Sequence, residues 1–429
     1  MKITVVALGK IGLPLAVQFA DRGHQVIGAD VNSDVVDQVN RGEEPFPGEA
    51  HLAEKLAAVV EGGRLTATTD TAEAVAQSEV VVVVVPLFVN AEGEPDFGWL
   101  DSATQDIGRG LKPGTLVAFE TTLPVGTTRD RWKPLLEQTS GLVEGQDFHL
   151  VFSPERVLTG RVFADLRKYP KLVGGLSEAG AKRAIAFYED VLEFDERPDL
   201  QRGNGVWDLG SAEAAEMAKL AETTYRDVNI GLANQFGIFA ASHGIDIYQV
   251  IEASNSQPYS HIHRPGIAVG GHCIPVYPRL YLWTDPSATV VRAAREANAA
   301  MPAYTVGLAK DAYGDLSGAR AVVLGASYRG GVKETAFSGV FPTVEALKAE
   351  GATVTVHDPM YTDEELRELG LEPYTLGTPV DIAVLQADHR EYKDLVDTGL
   401  PDVKVIVDGR HLLDPSMFST AKVLVVGKA

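Results

Sequence analysis

The chain has 429 residues, of which 45% are hydrophobic and 23% charged, so it can bury large cores without disulfides or metal ions. At roughly 150 residues per domain, this length predicts two or three domains. The net charge of −21 repels phosphate backbones and no basic patch interrupts it, which argues against nucleic-acid binding. The single cysteine excludes an internal disulfide and cysteine-based zinc sites, and it suits a reducing cytoplasm.

The start of the chain predicts neither a signal peptide nor a membrane anchor. It runs directly into a predicted strand, without the charged lead and apolar core of a signal peptide. The longest apolar run, residues 80–87, is too short to cross a bilayer and is typical of a buried strand. We therefore expect a cytoplasmic protein without membrane association.

The first part of the chain alternates apolar runs with helical stretches. Continuous runs rich in β-branched residues, separated by helices, predict a parallel sheet covered on both faces. Residues 1–200 are therefore predicted to form a doubly wound nucleotide-binding domain. The apolar runs are residues 2–8, 24–30, 79–86, 115–120 and 148–153.

A helical middle domain is predicted over residues 205–313, after a loop-like stretch at residues 197–204. Its first helical pattern covers residues 211–243 and ends at Gly244, a length of roughly 50 Å as a helix. That length suits a spine that joins domains. A second helical pattern covers residues 288–313.

The last third, residues 315–429, repeats the architecture of the first on a smaller scale. The fold class is therefore α/β, with two Rossmann-like doubly wound parallel-sheet domains joined by a helical middle domain with a long central helix. The predicted elements are strands at 319–325, 352–358, 380–385 and 403–408 and a helix at 340–350.

The turn after the first strand, residues 7–14, predicts a dinucleotide site. It matches the G-x-G-x-x-G pattern except that Ala7 replaces the first glycine. Gly9 would let the backbone approach a pyrophosphate, and Gly12 would allow close helix–strand packing. Asp30 ends the second strand, where a carboxylate accepts hydrogen bonds from ribose hydroxyls and repels a 2′-phosphate, favouring NAD over NADP. A plain strand–turn–helix without a ligand is the alternative.

The segment 261–278 surrounds the only cysteine with loop residues. Gly270 and Gly271 permit unusual backbone angles and the close approach of a substrate. His272 could promote the thiolate of Cys273, the nucleophilic form. A buried, inert cysteine explains the same residues equally well.

The motifs along the chain, taken together, resemble the UDP-glucose/GDP-mannose dehydrogenase family, and most of all its UDP-N-acetylmannosamine dehydrogenase branch. The resemblance covers nearly the whole chain, and it implies the two-Rossmann fold, a homodimer formed through the middle section, and a UDP-binding role for the last domain. The matching motifs are the glycine turn, Val85-Pro86, the segments 120–128 and 153–156, Glu216-Met-Ala-Lys219, Arg226-Asp-Val-Asn229 and Gly270-Gly-His-Cys273.

The resemblance implies a four-electron oxidation of a nucleotide sugar, in which a 6-hydroxymethyl becomes a carboxylate and two NAD are reduced. Cys273 would capture the aldehyde as a thiohemiacetal, which is oxidised to a thioester and hydrolysed. Lys219 and Thr223 would stabilise the oxyanion, Glu155 would act as general base, and Thr122 would hold the water. NAD would be bound by Gly9, Lys10, Ile11, Gly12, Asp30, Pro86 and Thr122. The substrate would be bound by Glu155, Arg156, Lys219, Arg226, Asn229, Arg264, Gly270 and Arg329.

Each of these residues also has an ordinary structural interpretation. Lys219 could be a solvated helix charge, Glu155 a helix cap and Thr122 a strand residue.

The chain also departs from the family pattern. Tyr277 stands where the family has an aspartate that helps to activate water, and a phenol with a pKa near 10 is a poor base at pH 7. Thr223 replaces an asparagine, which is milder because a hydroxyl still donates a hydrogen bond.

Further departures lie where relatives bind the nucleotide sugar. Ile267-Ala268 stands where relatives tend to have Pro-Gly, and residues 328–338 replace an acidic-plus-arginine signature.

Three hypotheses follow: a complete UDP-sugar 6-dehydrogenase, a two-electron enzyme that stops at the aldehyde, or a weakly active NAD- and nucleotide-binding protein. His261, His263 and His272 could suggest a metal, but loop histidines beside arginine and proline are more often solvated, and we predict no metal.

Overall fold

The computed structural model describes residues 1–90 and 93–428, which form two compact units, Met1–Ala221 and Glu222–Ala429. The boundary falls inside the long helix, so that helix contributes to both units. The predicted three-domain division uses different bounds and stays a prediction.

An eight-stranded sheet forms the centre of the first unit. Its order is β10-β9-β8-β7-β4-β1-β2-β3, and neighbouring strands are parallel except β8 and β9. The order reverses between β1 and β4, the switch point at which doubly wound sheets bind ligands. The strands are β1 (Lys2–Val6), β2 (Gln25–Ala29), β3 (Leu65–Thr68), β4 (Val80–Val83), β7 (Leu116–Phe119), β8 (His149–Phe152), β9 (Lys171–Gly175) and β10 (Val206–Asp208), with a separate hairpin of β5 (Phe88–Val89) and β6 (Pro95–Asp96).

Helices cover both faces of this sheet, which is why its central strands are apolar throughout. All four residues of β4 are valines and all are buried. Hydrophobic clusters on each face of the sheet bury the helices against it. The helices are α1 (Gly12–Asp21), α2 (Ser33–Asn40), α3 (Leu52–Glu61), α4 (Thr71–Ala76), α5 (Gly98–Gly110), α6 (Lys133–Ser140), α7 (Val162–Lys168) and α8 (Glu178–Val191), with a π-helical turn at Thr128–Trp132 before α6.

The second unit combines helices with a five-stranded parallel sheet of order β12-β11-β13-β14-β15. The long helix α9 (Ala212–Ser242) leads into it. Its strands are β11 (Arg320–Leu324), β12 (Thr353–His357), β13 (Ile382–Leu385), β14 (Val405–Asp408) and β15 (Lys422–Val425). Its helices are α10 (Ile247–Asn255), α11 (Tyr277–Thr284), α12 (Thr289–Tyr313), α13 (Val340–Ala349) and α14 (Asp363–Glu368).

The predicted fold class is confirmed: two Rossmann-like parallel sheets and helices between them. In the two large sheets, four strands, β3, β9, β10 and β15, were not predicted from apolar runs, and neither was the small pair β5 and β6. Three of the four lie at sheet edges, where one side faces solvent, and β9 begins with Lys171 and ends in two glycines. Among the described residues, no helix is both long and apolar enough to cross a membrane.

Candidate active site

The turn between β1 and α1 has the geometry that a dinucleotide requires. Ala7 has a φ of 74°, so it keeps the left-handed conformation for which glycine is usually needed. A Cβ added at Gly12 would lie 1.9 Å from the carbonyl oxygen of Ala7, so only glycine lets α1 approach the strand this closely. A Cβ at Gly9 would meet no atom within 4 Å. The space beside Gly9 and the N-terminal N–H groups of α1 together fit a pyrophosphate.

Asp30, directly after β2, lies beside this turn and is half-buried. One carboxylate oxygen accepts a hydrogen bond from the backbone N–H of Leu8 at 2.7 Å, and the other accepts from Asn32 N–H at 2.9 Å. Both oxygens retain further acceptor capacity, which suits ribose hydroxyls. Lys10 is exposed on the turn, and Ile11 stands at the N-cap of α1. These residues fit NAD.

The corresponding acid of the second sheet is organised differently. Asp358, after β12, is 3% exposed and accepts hydrogen bonds from Ala326 N–H and Ser327 N–H at 2.8 and 2.9 Å. His389 Nε2 lies 3.0 Å from the same carboxylate oxygen. This carboxylate braces the loop after β11 and is buried away from ribose hydroxyls.

Pro86 and Thr122 lie on loops that leave the carboxyl ends of β4 and β7. These loops are joined, because Thr121 Oγ1 donates to the carbonyl oxygen of Val85 at 2.6 Å. Thr122 is buried and Pro86 is exposed. Both residues therefore lie at the same sheet edge as the dinucleotide turn.

Glu155, on the loop after β8, ends a buried polar network. Lys171 Nζ lies 2.8 Å from Glu155 Oε2 and 2.6 Å from Glu120 Oε2, and the Tyr188 hydroxyl donates to Glu120 Oε1 at 2.6 Å. Burial opposes ionisation of Glu155, but attraction to Lys171 and hydrogen bonds from its neighbours hold the pKa of this carboxyl below its ordinary value. Burial raises the pKa of Glu120 to about 7, despite the attraction of Lys171. Arg156 N–H donates to Glu155 Oε1 at 2.7 Å.

Helix α9 is attached to the first sheet by a buried carboxylate, Glu216. It accepts hydrogen bonds from Gly126 N–H at 2.6 Å, from Thr128 N–H at 2.9 Å and from the Thr128 hydroxyl at 2.6 Å. Lys219 follows almost one turn later and Thr223 one further turn on, so these two residues share a face of the helix. Both are buried.

Asn229, almost three turns beyond Lys219, holds the start of the cysteine segment. Its amide nitrogen donates to the carbonyl oxygen of His261 at 2.7 Å, and its amide oxygen accepts from His263 N–H at 2.9 Å. Burial and the positive charge of Arg226 lower the pKa of His263. Arg226 and Arg264 are exposed. Asn229 therefore bonds the loop, besides the Tyr225 hydroxyl on its own helix at 3.2 Å.

The cysteine segment packs against the loop after β11, within the second unit. A Cβ added at Gly270 would lie 2.5 Å from Tyr328 Cβ, and Gly271 has a φ of 93° and donates its N–H to Ala336 O at 2.8 Å. Arg329, exposed on that loop, donates to the Tyr328 hydroxyl at 3.3 Å. The glycines thus allow two loops that carry predicted substrate residues to meet.

Cys273 is a half-buried free thiol in the turn that leads into α11. Its carbonyl oxygen accepts the N–H of Tyr277 at 2.9 Å, which places the phenol one helical turn after the thiol. His272 is exposed and its Nε2 lies 3.2 Å from Glu334 Oε2. An imidazole with a carboxylate partner therefore adjoins the cysteine in the chain.

Two structural residues of the first unit's polar network were not predicted. Lys171 and Tyr188 join Glu120 and Glu155 across sequence separations of 16 to 68 residues. A charged residue at the start of an apolar strand was the available signal for Lys171. In the second unit Asn234 was also missed; it bonds Asn298 at 2.8 Å and Gly266 N–H at 2.9 Å.

No group of three or more histidine, cysteine, aspartate or glutamate side chains is arranged to hold a metal ion within residues 1–90 and 93–428.

Three family models match the chain in consecutive order. They are described as the NAD binding domain, the central domain and the UDP binding domain of the UDP-glucose/GDP-mannose dehydrogenase family. They match residues 1–192, 213–300 and 289–415, respectively.

Similar proteins include dehydrogenases of two UDP-sugars. The chain is 35% identical over 421 residues to the UDP-N-acetyl-D-mannosamine dehydrogenase of Pyrococcus horikoshii, covering 96% of each chain. A solved structure of UDP-D-ManNAc dehydrogenase from that organism has a TM-score of 0.87, with 32% identity over 100% of this chain and 99% of the other. A UDP-glucose dehydrogenase structure from Pyrobaculum islandicum has a TM-score of 0.86, with 26% identity over 100% and 98% of the two chains.

Proposed function

Because the chain belongs to the UDP-glucose/GDP-mannose dehydrogenase family, and is thus an NAD-binding oxidoreductase, we propose that it oxidises the C6 hydroxymethyl of a UDP-linked hexose or N-acetylhexosamine to a carboxylate. NAD would be held at the turn of Gly9, Lys10, Ile11 and Gly12, with Asp30, Pro86 and Thr122 beside it, and would supply the hydride acceptor for two oxidations. The likeness to UDP-N-acetyl-D-mannosamine dehydrogenases over 96% of the chain supports this substrate class.

The observation that carries the proposal is Cys273, a free and only half-buried thiol on a glycine-rich loop. A thiol is the group that allows an aldehyde to be oxidised further. Its sulfur bonds to the aldehyde carbon and the carbonyl oxygen takes a proton, which gives a thiohemiacetal. Loss of a hydride and of the hydroxyl proton turns this adduct into a thioester. Water then adds to the thioester carbon, the carbon–sulfur bond breaks, the thiol is restored, and the acid leaves as a carboxylate.

The remaining catalytic roles belong to charged and hydroxyl groups already described. Glu155, whose pKa lies below its ordinary value, takes the proton of the attacking water, and Thr122 orients that water. Lys219 supplies a positive charge to the oxyanion, and Thr223, on the same face of α9, donates a hydrogen bond to it.

Substrate binding is assigned mainly to cations that suit a diphosphate, together with a glycine, an asparagine and Glu155. Guanidinium groups pair with phosphate oxygens through two donors at once, and a glycine without a side chain lets the sugar approach. We propose that residues 1–200 bind NAD, residues 205–313 form the central domain and residues 315–429 bind UDP. The substrate residues are Glu155, Arg156, Lys219, Arg226, Asn229, Arg264, Gly270 and Arg329.

We further propose a homodimer formed through α9. This helix exposes a row of large apolar side chains at spacings of seven, four and three residues, which is the spacing of one helix face. Their exposed fractions run from 40% to 59%, and exposed apolar patches of this kind mark interaction surfaces. The row consists of Tyr225, Leu232, Phe236 and Phe239.

One observation favours a second candidate, a two-electron oxidation that stops at the aldehyde. Tyr277 lies one turn after Cys273, at the position where the family has an aspartate, and a phenol is a poor base near neutral pH. If Glu155 cannot activate water alone, the acid would not form.

The test is NADH formation with NAD and a panel of UDP-glucose, UDP-N-acetylmannosamine and GDP-mannose, on the wild type and on Cys273→Ala. We expect NADH from a UDP-sugar, a sugar adduct on Cys273 by mass spectrometry of quenched wild type, and neither adduct nor acid from the variant. Both proteins should bind NAD equally, as measured by thermal shift. If NAD binds but no sugar yields NADH, the chain is instead a weakly active binding protein and the proposal fails.

A further inference from the structure

Four side chains from separate segments of the first unit converge behind the loop that carries Glu155. Lys171 begins β9, Glu120 follows β7, and Tyr188 lies on α8. The ammonium of Lys171 lies 2.8 Å from Glu155 and 2.6 Å from Glu120, and it also stands 4.9 Å above the ring of Tyr188. Tyr188 bonds the second oxygen of Glu120 at 2.6 Å. A single cation therefore bridges two carboxylates.

Exposure orders these groups from the surface inward. The side chain of Glu155 is 11% exposed, that of Lys171 is 5% exposed, and that of Glu120 is fully buried, as is Tyr188. Glu155 is thus the member that can meet water or substrate, while the other three lie behind it. The positive charge of a buried ammonium between two carboxylates compensates their negative charges.

The charges do not balance when both carboxylates are ionised, since two negative charges face one positive charge. Burial raises the pKa of Glu120 to about 7, while the pKa of Glu155 is held below its ordinary value. The extra proton therefore resides on the deeper carboxyl, near neutral pH, and the outer one stays ionised. Burial opposes the charge of Lys171, but its two carboxylate neighbours raise its pKa, so it remains a cation.

We propose that Lys171 is a positioning residue for the reaction, which fixes the Glu155 carboxylate and keeps it ionised, with Glu120 and Tyr188 holding Lys171 from behind. This inference rests on the proposed function, in which Glu155 is the base. It adds residues that touch neither substrate nor cofactor but decide whether the base is in its working form.

The other charged groups around Glu155 have their own partners. Arg156 donates from Nη1 to the carbonyl oxygen of Pro170 at 3.3 Å and lies over the ring of Tyr169 at 6.0 Å. Asp165, which lines the same small cleft, accepts from Arg161 at 2.9 Å. Lys171 is a cation bound directly to the Glu155 side chain, at 2.8 Å.

The first test removes the cation with Lys171→Met, beside Lys171→Arg, which keeps the charge, and Lys168→Met, which removes an exposed lysine from the end of α7. A base must be ionised to act, and loss of the cation raises its pKa. We expect the acid limb of the kcat profile to move up by about one pH unit or more. At a pH below both limbs, kcat should fall about tenfold with little change in KM, whereas the loss at pH 7 should be much smaller. The arginine variant should recover most of the activity. Lys168→Met should resemble the wild type.

The second test removes the titration behind Glu155 and does not depend on how Lys171→Met folds. Glu120→Gln keeps one acceptor oxygen for Lys171 and offers an amide N–H to the Tyr188 hydroxyl, so it resembles the protonated form of Glu120. Because Glu120 holds the extra proton below about pH 7, we expect the acid limb of Glu120→Gln to stay at the wild-type position. An acid limb unmoved in Lys171→Met, with kcat lowered equally at every pH, would show a purely structural role and overturn the inference, and so would an acid limb that Glu120→Gln moves to higher pH.

A measurement without turnover separates this inference from the proposed function. The infrared absorption of protonated carboxyls should lose a component titrating near neutral pH when Glu120 is replaced by glutamine. If the wild type oxidises no sugar, the proposed function fails while the titration still reports on the network. If the wild type is active and the infrared difference is absent, the network does not hold its proton as inferred.

Discussion

At the scale of single residues, the dinucleotide turn separates glycines that serve packing from glycines that serve a ligand. Gly12 is required because α1 lies against the end of β1, whereas Gly9 faces open space. Ala7 occupies the first glycine position yet adopts a φ of 74°, so the backbone conformation of the motif persists without its usual residue.

The glycines should respond differently to the same substitution. Gly12→Ala places a methyl 1.9 Å from a carbonyl oxygen, so the free energy of unfolding should fall by about 1–3 kcal/mol or more. Gly9→Ala should leave it nearly unchanged but weaken NAD binding about tenfold or more, because the methyl occupies the phosphate's space. Chemical denaturation and NAD titration measure the two effects. Equal stability of both variants would contradict the packing account.

Ala7 provides a reciprocal prediction. A left-handed alanine costs roughly 1–2 kcal/mol, part of which glycine recovers at the expense of a more flexible unfolded chain. Ala7→Gly should therefore raise the free energy of unfolding by about 0.5–1 kcal/mol in chemical denaturation. A lower free energy of unfolding in Ala7→Gly would show that the left-handed backbone at Ala7 is not strained.

At the scale of elements, the attachment of α9 to the first sheet depends on a buried carboxylate. Glu216 accepts three hydrogen bonds from the turn that precedes α6, and burial raises its pKa to about 7. Because the folded-state pKa exceeds the unfolded one, this group weakens the fold as pH rises from about 4.5 to 7.

Glu216→Gln removes that titration and should change the pH dependence of stability in a defined direction. The wild type's advantage over the variant should shrink by about 2 kcal/mol from pH 5 to pH 7. Glu213→Gln, one turn earlier, is the control, because the pKa of Glu213 is lowered by Arg129 and its effect lies at lower pH. Chemical denaturation across this pH range measures the effect. A constant difference in the free energy of unfolding between the wild type and Glu216→Gln would contradict the assigned role of Glu216.

The elements themselves could largely be predicted, but their polar interior could not. Apolar runs located β1, β4, β7 and β8 because strands covered on both faces must be apolar throughout. The edge strand β3 was not predicted because its Leu-Thr-Ala-Thr sequence is half polar and so forms no apolar run. Motif residues such as Gly9, Asp30 and Cys273 can be identified from the sequence immediately around them. Lys171 acts through partners far along the chain, which only folding brings together.

At the scale of the whole molecule, the dinucleotide turn belongs to the first unit and Cys273 to the second, and α9 contributes residues to both. The same helix carries the exposed apolar row proposed to form the dimer. We propose that nucleotide-sugar specificity is set by the loops of the second unit, where the departures at Tyr277 and at residues 328–338 lie.

The dimer can be tested without any substrate. Phe236→Ser combined with Phe239→Ser removes two of the four apolar side chains of the row, so the molar mass by light scattering should fall from that of a dimer to that of a monomer. Val31→Ser, at an exposed position outside the row, is the control and should remain dimeric. A monomeric wild type, or an unchanged mass in the double variant, would contradict the proposed interface.

The central claim is that the oxidation runs to the acid through Cys273 despite Tyr277, and the ratio of NADH to sugar tests it most directly. With limiting UDP-sugar and excess NAD, the account predicts two NADH for each sugar consumed and a uronic acid as the product. One NADH for each sugar, with an aldehyde that a hydroxylamine reagent traps, would contradict it and show that the reaction ends after the first oxidation.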